Sequence, residues 1–133
     1  MNDRERHASG MKVRRAVLGD AYVDKAQANL NAFNEPFQDL ITRYAWGEIW
    51  SRPGLPRPTR SLLTLAMMVA LNRNEEFRMH LRAALNNKVK REEIQELLLQ
   101  SAIYCGVPAA NTAFHIAQEV FAEIEKEAKK PKR

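Results

Sequence analysis

The sequence contains one cysteine, Cys105, in 133 residues. A lone thiol excludes an internal disulfide framework and a Cys-x-x-Cys redox pair. Histidine is scarce too: His7, His80 and His115 are the only three, and no two lie at ligand spacing. A protein-held metal is therefore not expected. Glycine-rich phosphate loops, a G-x-S-x-G elbow and a basic reading helix are missing. The longest apolar run, 62–71, is far short of the ~20 residues that span a bilayer. The N-terminus carries no secretory apolar core. These absences lead to the expectation of a soluble, cytoplasmic protein with no membrane partner. No stretch alternates apolar and polar residues for long enough to make a strand.

What is present is a chain of single-domain length with 45% apolar residues, enough for a packed core. Lysine and arginine number 21 against 16 acidic residues, which raises the question of nucleic acid. The excess is local, because "KEAKKPKR" at the C-terminus holds four lysines and one arginine. Such a run is expected to be a frayed, solvated tail from about residue 126 on an otherwise single domain, 1–133. The body without it is close to neutral, and no nucleic-acid partner is expected.

Helical spacing recurs along the whole chain and predicts an all-α protein of six or seven helices. A weakly apolar first helix ends at Gly19, and a short piece follows over about 20–28. "NEPFQDLITRYAWGEIW" has Asn34 as N-cap and Pro36 in its first turn, with Phe37, Leu40, Ile41 and Tyr44 as its apolar stripe. Three prolines and a glycine within residues 53–58 forbid a helix and make a stiff loop. The helix over about 57–72 is apolar nearly all round, which predicts central burial. Phe77, Leu81, Ala84 and Leu85 face inward from 74–87. Ile94, Leu97, Leu98, Ala102 and Cys105 are expected to be buried on a helix that stops at Gly106. A last helix with Pro108 in its first turn buries Ala110, Ala113, Phe114, Ala117, Phe121 and Ile124. Trp46, Trp50, Phe33 and Phe37 exceed what a monomer of this size hides, so a homo-oligomer is expected.

Few groups can do chemistry. His80 follows Glu76 by four residues, so the two share a helical face. A carboxylate beside an imidazole raises its pKa and orients one ring nitrogen, as a proton donor near neutral pH requires. An inert surface Glu–His pair or a core histidine satisfies the same spacing. His115, between Asn111 and Glu119 at spacings of four, fits a solvated face or a subunit contact better than a site. Arg43, Arg52, Arg57 and Arg60 surround the proline-rich loop together with Glu48. Guanidinium forks suit an anionic organic substrate, although some of these arginines could simply pair with acidic neighbours such as Glu48.

The wording of the sequence adds to its spacing. "RYAWGEIWSRPGL", "RSLLTLAMMVALNR", "HLRAALNN" and "AIYCGVPAAN" closely resemble the gamma-carboxymuconolactone decarboxylase family of bacterial protocatechuate breakdown, over about residues 3–125. The resemblance implies an all-α fold shared with alkylhydroperoxidase D-type peroxidases, assembly as a homohexamer, and no cofactor. It places His80 on the histidine of the peroxidases' C-x-x-C-x-x-x-H motif, with Glu76 and Arg73 where the two cysteines would stand. Disulfide-based peroxidase chemistry is thereby excluded at that position. Lys88 and Lys90 depart from the family pattern of a glycine and a threonine or serine. Lys88 is expected to shift the tight turn onto Asn87, and Lys90 to lose a helix N-cap.

The implied reaction is loss of CO2 from gamma-carboxymuconolactone, a lactone dicarboxylate, to give beta-ketoadipate enol-lactone. In that scheme His80, tuned by Glu76, acts as general acid or oxyanion donor. Arg43, Arg52 and Arg60 bind the substrate, with Glu48 and His115 as secondary candidates. The alternatives are a same-fold lyase or isomerase acting on another lactone, and a non-catalytic oligomeric module that binds an anion.

Overall fold

The computed structural model describes residues 1–130. Seven α-helices and one π-helical segment account for most of them, with no strand among the described residues. The chain forms two compact units, Met1–Arg60 and Ser61–Arg133.

The first unit begins with α1, Asp3–Leu18. Its N-terminus is closed by a reciprocal pair: the Glu5 N–H donates to Asn2 Oδ1 at 2.8 Å, and the Asn2 N–H to the Glu5 carboxylate at 3.3 Å. Gly19 ends the helix at φ 91°, a conformation that costs only glycine little. Asp20–Ala28 forms α2. Next, α3 spans Glu35–Ile41 and runs into the π-helical segment Thr42–Ile49. The Asn34 side chain does not cap α3; its Oδ1 instead accepts from the Asn31 N–H at 2.9 Å, closing the preceding turn.

The expected stripe of Phe37, Leu40, Ile41 and Tyr44 is not the buried face. Phe37, Leu40 and Tyr44 are exposed, whereas Thr42, Trp46 and Gly47 are buried. The reason is the close approach of α1. A Cβ on Gly10 would lie 1.9 Å from the Thr42 carbonyl oxygen, and one on Gly47 would lie 2.5 Å from that of Arg6. Two backbones so near each other meet through small residues, and the bulky stripe is turned outward. Trp46 and Trp50 stack with ring centroids 5.1 Å apart, so both are used within the chain and add nothing to an exposed aromatic surplus. Phe33, at 95% exposure, and Phe37 remain outside.

In the chain beyond the proline-rich loop, α4 spans Arg57–Ala70, α5 Asn74–Asn86, α6 Arg91–Tyr104 and α7 Val107–Ala128. Leu65, Phe77, Leu81, Ile94, Leu98 and Val120 centre one apolar cluster in the second unit. Contrary to the expectation of all-round burial, α4 buries only the Ser61–Leu65–Val69 face, leaving Leu63 and Met67 exposed. Ion pairs from Arg78 to Glu119 and from Arg82 to Glu123 and Glu127 tie α5 to α7. Arg91 joins α6 to α7 through Glu125. The Asn87 amide donates to Ser61 Oγ at 3.0 Å in the interior.

Two further expectations are corrected here. Cys105 is exposed, because α6 ends at Tyr104 and the thiol sits at its C-cap. The left-handed turn after α5 falls on Lys88, at φ 73°, and not on Asn87, at φ −88°. The Lys88 N–H bonds the Leu85 carbonyl and the Val89 N–H the Ala84 carbonyl, a Schellman ending whose geometry assigns positive φ to Lys88. Lys90 keeps half a capping box, its N–H donating to the Glu93 carboxylate at 2.9 Å. At the C-terminus the helix continues through Lys126 to Ala128, with Glu127 paired to Arg82. The rest of the expected tail, 131–133, lies outside the described residues.

Candidate active site

His80 is carried by α5, between the buried Phe77 and Leu81. Its ring is half-buried, and Nδ1 is shut off from solvent with no hydrogen-bond partner. Burial pushes the imidazole pKa below its ordinary value, and the attraction of Glu76 offsets this only in part. The sequence-based expectation of a raised pKa is therefore overturned. Desolvation of the charged ring exceeds the pull of an exposed carboxylate that makes no hydrogen bond to it. Near pH 7 the ring is neutral, with one N–H to donate and one lone pair to accept. That suits a hydrogen-bond donor to a developing oxyanion better than a standing imidazolium acid.

His115 lies exposed on α7. Its neighbour Glu119 is taken by Arg78, so the polar row expected from the spacing is a solvated, ion-paired face. Among the described residues, no hydrogen bond or ion pair links His80 to Glu76 or to His115.

The arginines around the proline-rich loop do not form one open cluster. Arg43 Nε donates to Asp39 at 3.0 Å and Nη1 to Asp3 at 3.3 Å, while its guanidinium lies over Tyr44. Glu48 is held by Arg6 Nε at 2.8 Å, not by a loop arginine. Arg52 and Arg57 are exposed, and half-buried Arg60 donates to the Arg52 carbonyl at 3.2 Å. Of the expected anion binders, Arg43 is already neutralised by two carboxylates.

The sequence reading missed a cleft of about 610 Å³ in the first unit, lined by residues from α1, α2 and α3 that include His7, Met11, Arg14 and Gln38. Arg14 is only 4% exposed. Burial pulls its pKa below the ordinary value, but a guanidinium stays charged in a protein. The signal was available: Gly10, Val13, Arg14 and Val17 follow helical spacing, and all four are buried. An arginine in an inward stripe was overlooked because the helix reads as weakly apolar.

Comparison with known proteins adds a family to this geometry. The model of the carboxymuconolactone decarboxylase family matches residues 35–119. A 4-carboxymuconolactone decarboxylase of Acinetobacter baylyi is 53% identical over 124 residues, covering 93% of this chain and 92% of the relative. A nitrosuccinic acid decarboxylase of Metarhizium robertsii is 44% identical over 115 residues, covering 86% and 80%. A 4-carboxymuconolactone decarboxylase sequence of Pseudomonas putida is 54% identical over 48 residues, which is 36% of this chain and all of that sequence. The helical fold, the family match over residues 35–119 and near-full-length identity at this level agree: the chain belongs to the carboxymuconolactone decarboxylase family.

Proposed function

We propose that this protein removes CO2 from gamma-carboxymuconolactone to give beta-ketoadipate enol-lactone, a step in protocatechuate catabolism by the beta-ketoadipate pathway. The carrying observation is the 53% identity with the Acinetobacter baylyi decarboxylase over nearly the full length of both chains.

The substrate's leaving carboxylate sits on the ring carbon conjugated, through the C=C, to the lactone carbonyl. When the C–CO2 bond breaks, its electron pair moves through the alkene into that carbonyl, giving a furanolate-like dienolate. The substrate is thus its own electron sink, and the reaction needs no electron-accepting cofactor. Protonation of the dienolate carbon then completes the product. The protein's tasks are to hold two carboxylates, to stabilise negative charge on the lactone oxygen with pre-placed donors, and to deliver one proton. We assign His80 to the lactone oxygen as a neutral donor, because burial disfavours its imidazolium. Glu76 biases the ring electrostatically. Arg52 and Arg60 are substrate-binding candidates, ahead of Arg43 and Glu48, which are ion-paired, and of His115, which is exposed on α7. Function as a homohexamer in the cytoplasm is part of the same reading. Exposed Phe33, Met67, Leu71, Ile103 and Tyr104 supply apolar surface for subunit contacts. Among the described residues, no helix is long and apolar enough to cross a membrane.

Incubation of the purified protein with gamma-carboxymuconolactone, following CO2 and enol-lactone, tests the activity. His80→Ala is expected to lower turnover by at least about 100-fold, and His80→Gln, which still donates a hydrogen bond, to recover part of the loss. An alanine variant that folds and turns over like the parent removes His80 from the mechanism. The relative named for nitrosuccinic acid makes that acid the control substrate, and faster turnover of it would replace the lactone in this proposal.

A further inference from the structure

We propose that the cleft of the first unit binds a small organic carboxylate with an apolar body, anchored on the guanidinium of Arg14. Arg14 is 4% exposed and carries a full charge, yet no carboxylate pairs with it among the described residues. The adjacent Arg15 takes both nearby acids, Asp20 and Asp24. Among the described residues the Arg14 side chain makes one hydrogen bond, from Nη2 to the neutral Oε1 of Gln38 at 3.0 Å, and its Nε is buried with no acceptor. A guanidinium has five N–H donors, so one amide oxygen leaves it far from satisfied. A buried charge without a counter-charge is unfavourable and is relieved when an anion enters.

The cleft that Arg14 lines has the size and chemistry of a small-molecule site. Its volume is about 610 Å³, within the usual range for such sites, and its lining sets an apolar wall beside a larger group of polar and charged side chains. Met11, Leu30 and Pro36 supply the apolar wall. Its acids do not compensate Arg14: Asp39 is engaged by Arg43 at 3.0 Å and faces His7 at 3.6 Å, and Glu35 is exposed to solvent. Gln38, which also lines the cleft, occupies the guanidinium as a neutral stand-in. A carboxylate that displaces its Oε1 forms the charge-assisted, forked pair for which arginine is suited and gives Nε–H an acceptor. His7, Met11, Arg14 and Leu30 precede residue 35, where the family match begins, while Gln38 lies within it. The site does not depend on the assignment of His80.

The test uses the full-length protein, isotopically labelled, with benzoate as probe and benzyl alcohol as its uncharged counterpart. The Arg14 Nε–H resonance should move saturably with benzoate and stay in place with benzyl alcohol. By calorimetry, Arg14→Gln should weaken benzoate binding at least tenfold, and Arg14→Lys by less. If Arg14→Gln fails to fold, the titration of the parent protein decides alone. Absence of a saturable shift overturns the proposal. So does an equal response to inorganic phosphate, which would remove the organic carboxylate. A resonance that moves on protein dilution and ignores benzoate also overturns it, because a carboxylate of a second copy would then be the counter-charge.

Discussion

Lys88 occupies the one position in the α5 Schellman ending that glycine fills best, and Lys88→Gly should stabilise the protein. At φ 73° a side chain bearing Cβ pays about 1–2 kcal/mol for the left-handed backbone. Glycine removes that strain but loses about 0.5–1 kcal/mol through the larger freedom of its unfolded chain. The ammonium near a helix C-terminus contributes a few tenths of a kcal/mol at an exposed position, and this is lost as well. The net expectation is a gain of roughly 0.5 kcal/mol. Lys88→Ala loses the same charge and keeps the Cβ, so the glycine variant should exceed the alanine variant by about 1 kcal/mol. With about 2.1 cal/mol/K of unfolding entropy per residue, 133 residues convert that gap to between about 3 and 4 °C in Tm. Calorimetry or urea titration of the three proteins at one concentration reads it. The four hydrogen-bonded residues of the turn, Ala84, Leu85, Lys88 and Val89, keep their backbone groups in every variant. A glycine variant no more stable than the alanine one would show that the left-handed strain carries no cost here, and the reasoning would fail.

Other consequences are equally direct. The folded-state pKa of His80 lies below its ordinary value of 6.5, so the unfolded chain takes up the proton first as pH falls. Stability should therefore be insensitive to this group above 6.5 and decline as pH drops through that value towards the folded pKa; His80→Gln should flatten this limb in pH-dependent denaturation. Gly10→Ala places a Cβ 1.9 Å from the Thr42 carbonyl oxygen and should destabilise by about 1–3 kcal/mol despite alanine's better helix propensity, whereas Gly54→Ala, with open space around it, should be near neutral. Sedimentation at micromolar concentration should show a closed assembly, expected to hold six chains, and a clean species at the 15.3 kDa chain mass would refute the oligomer.

Local chemistry decided much of this protein before any tertiary contact. Gly19 and Gly106, both at positive φ, end helices wherever they fall in an amphipathic pattern, and Pro53 and Pro56 break the chain ahead of α4, whose first turn takes Pro58. The spacing of Phe77, Leu81, Ile94 and Leu98 selects the face that becomes the core, because burial of such side chains dominates the competing terms. The histidine that the resemblance selected lies half-buried on the expected helix for the same reason.

Tertiary structure decided whatever depends on distance between segments remote in sequence. Which face of 35–50 turns inward was set by Gly10 meeting Thr42 across the first unit, a backbone approach that no periodicity within one helix encodes. Whether Glu76 or burial governs His80 is a balance between Coulomb attraction and desolvation, and only packing fixes the second of these. Arg43 and Glu48 lost their place as free binders to Asp3 and Arg6, acids and bases some forty residues away. The burial of Arg14 follows from the packing of its helix: the residue is written plainly in the sequence, but its missing counter-charge becomes visible only once Asp20 and Asp24 are paired with Arg15 and Asp39 with Arg43.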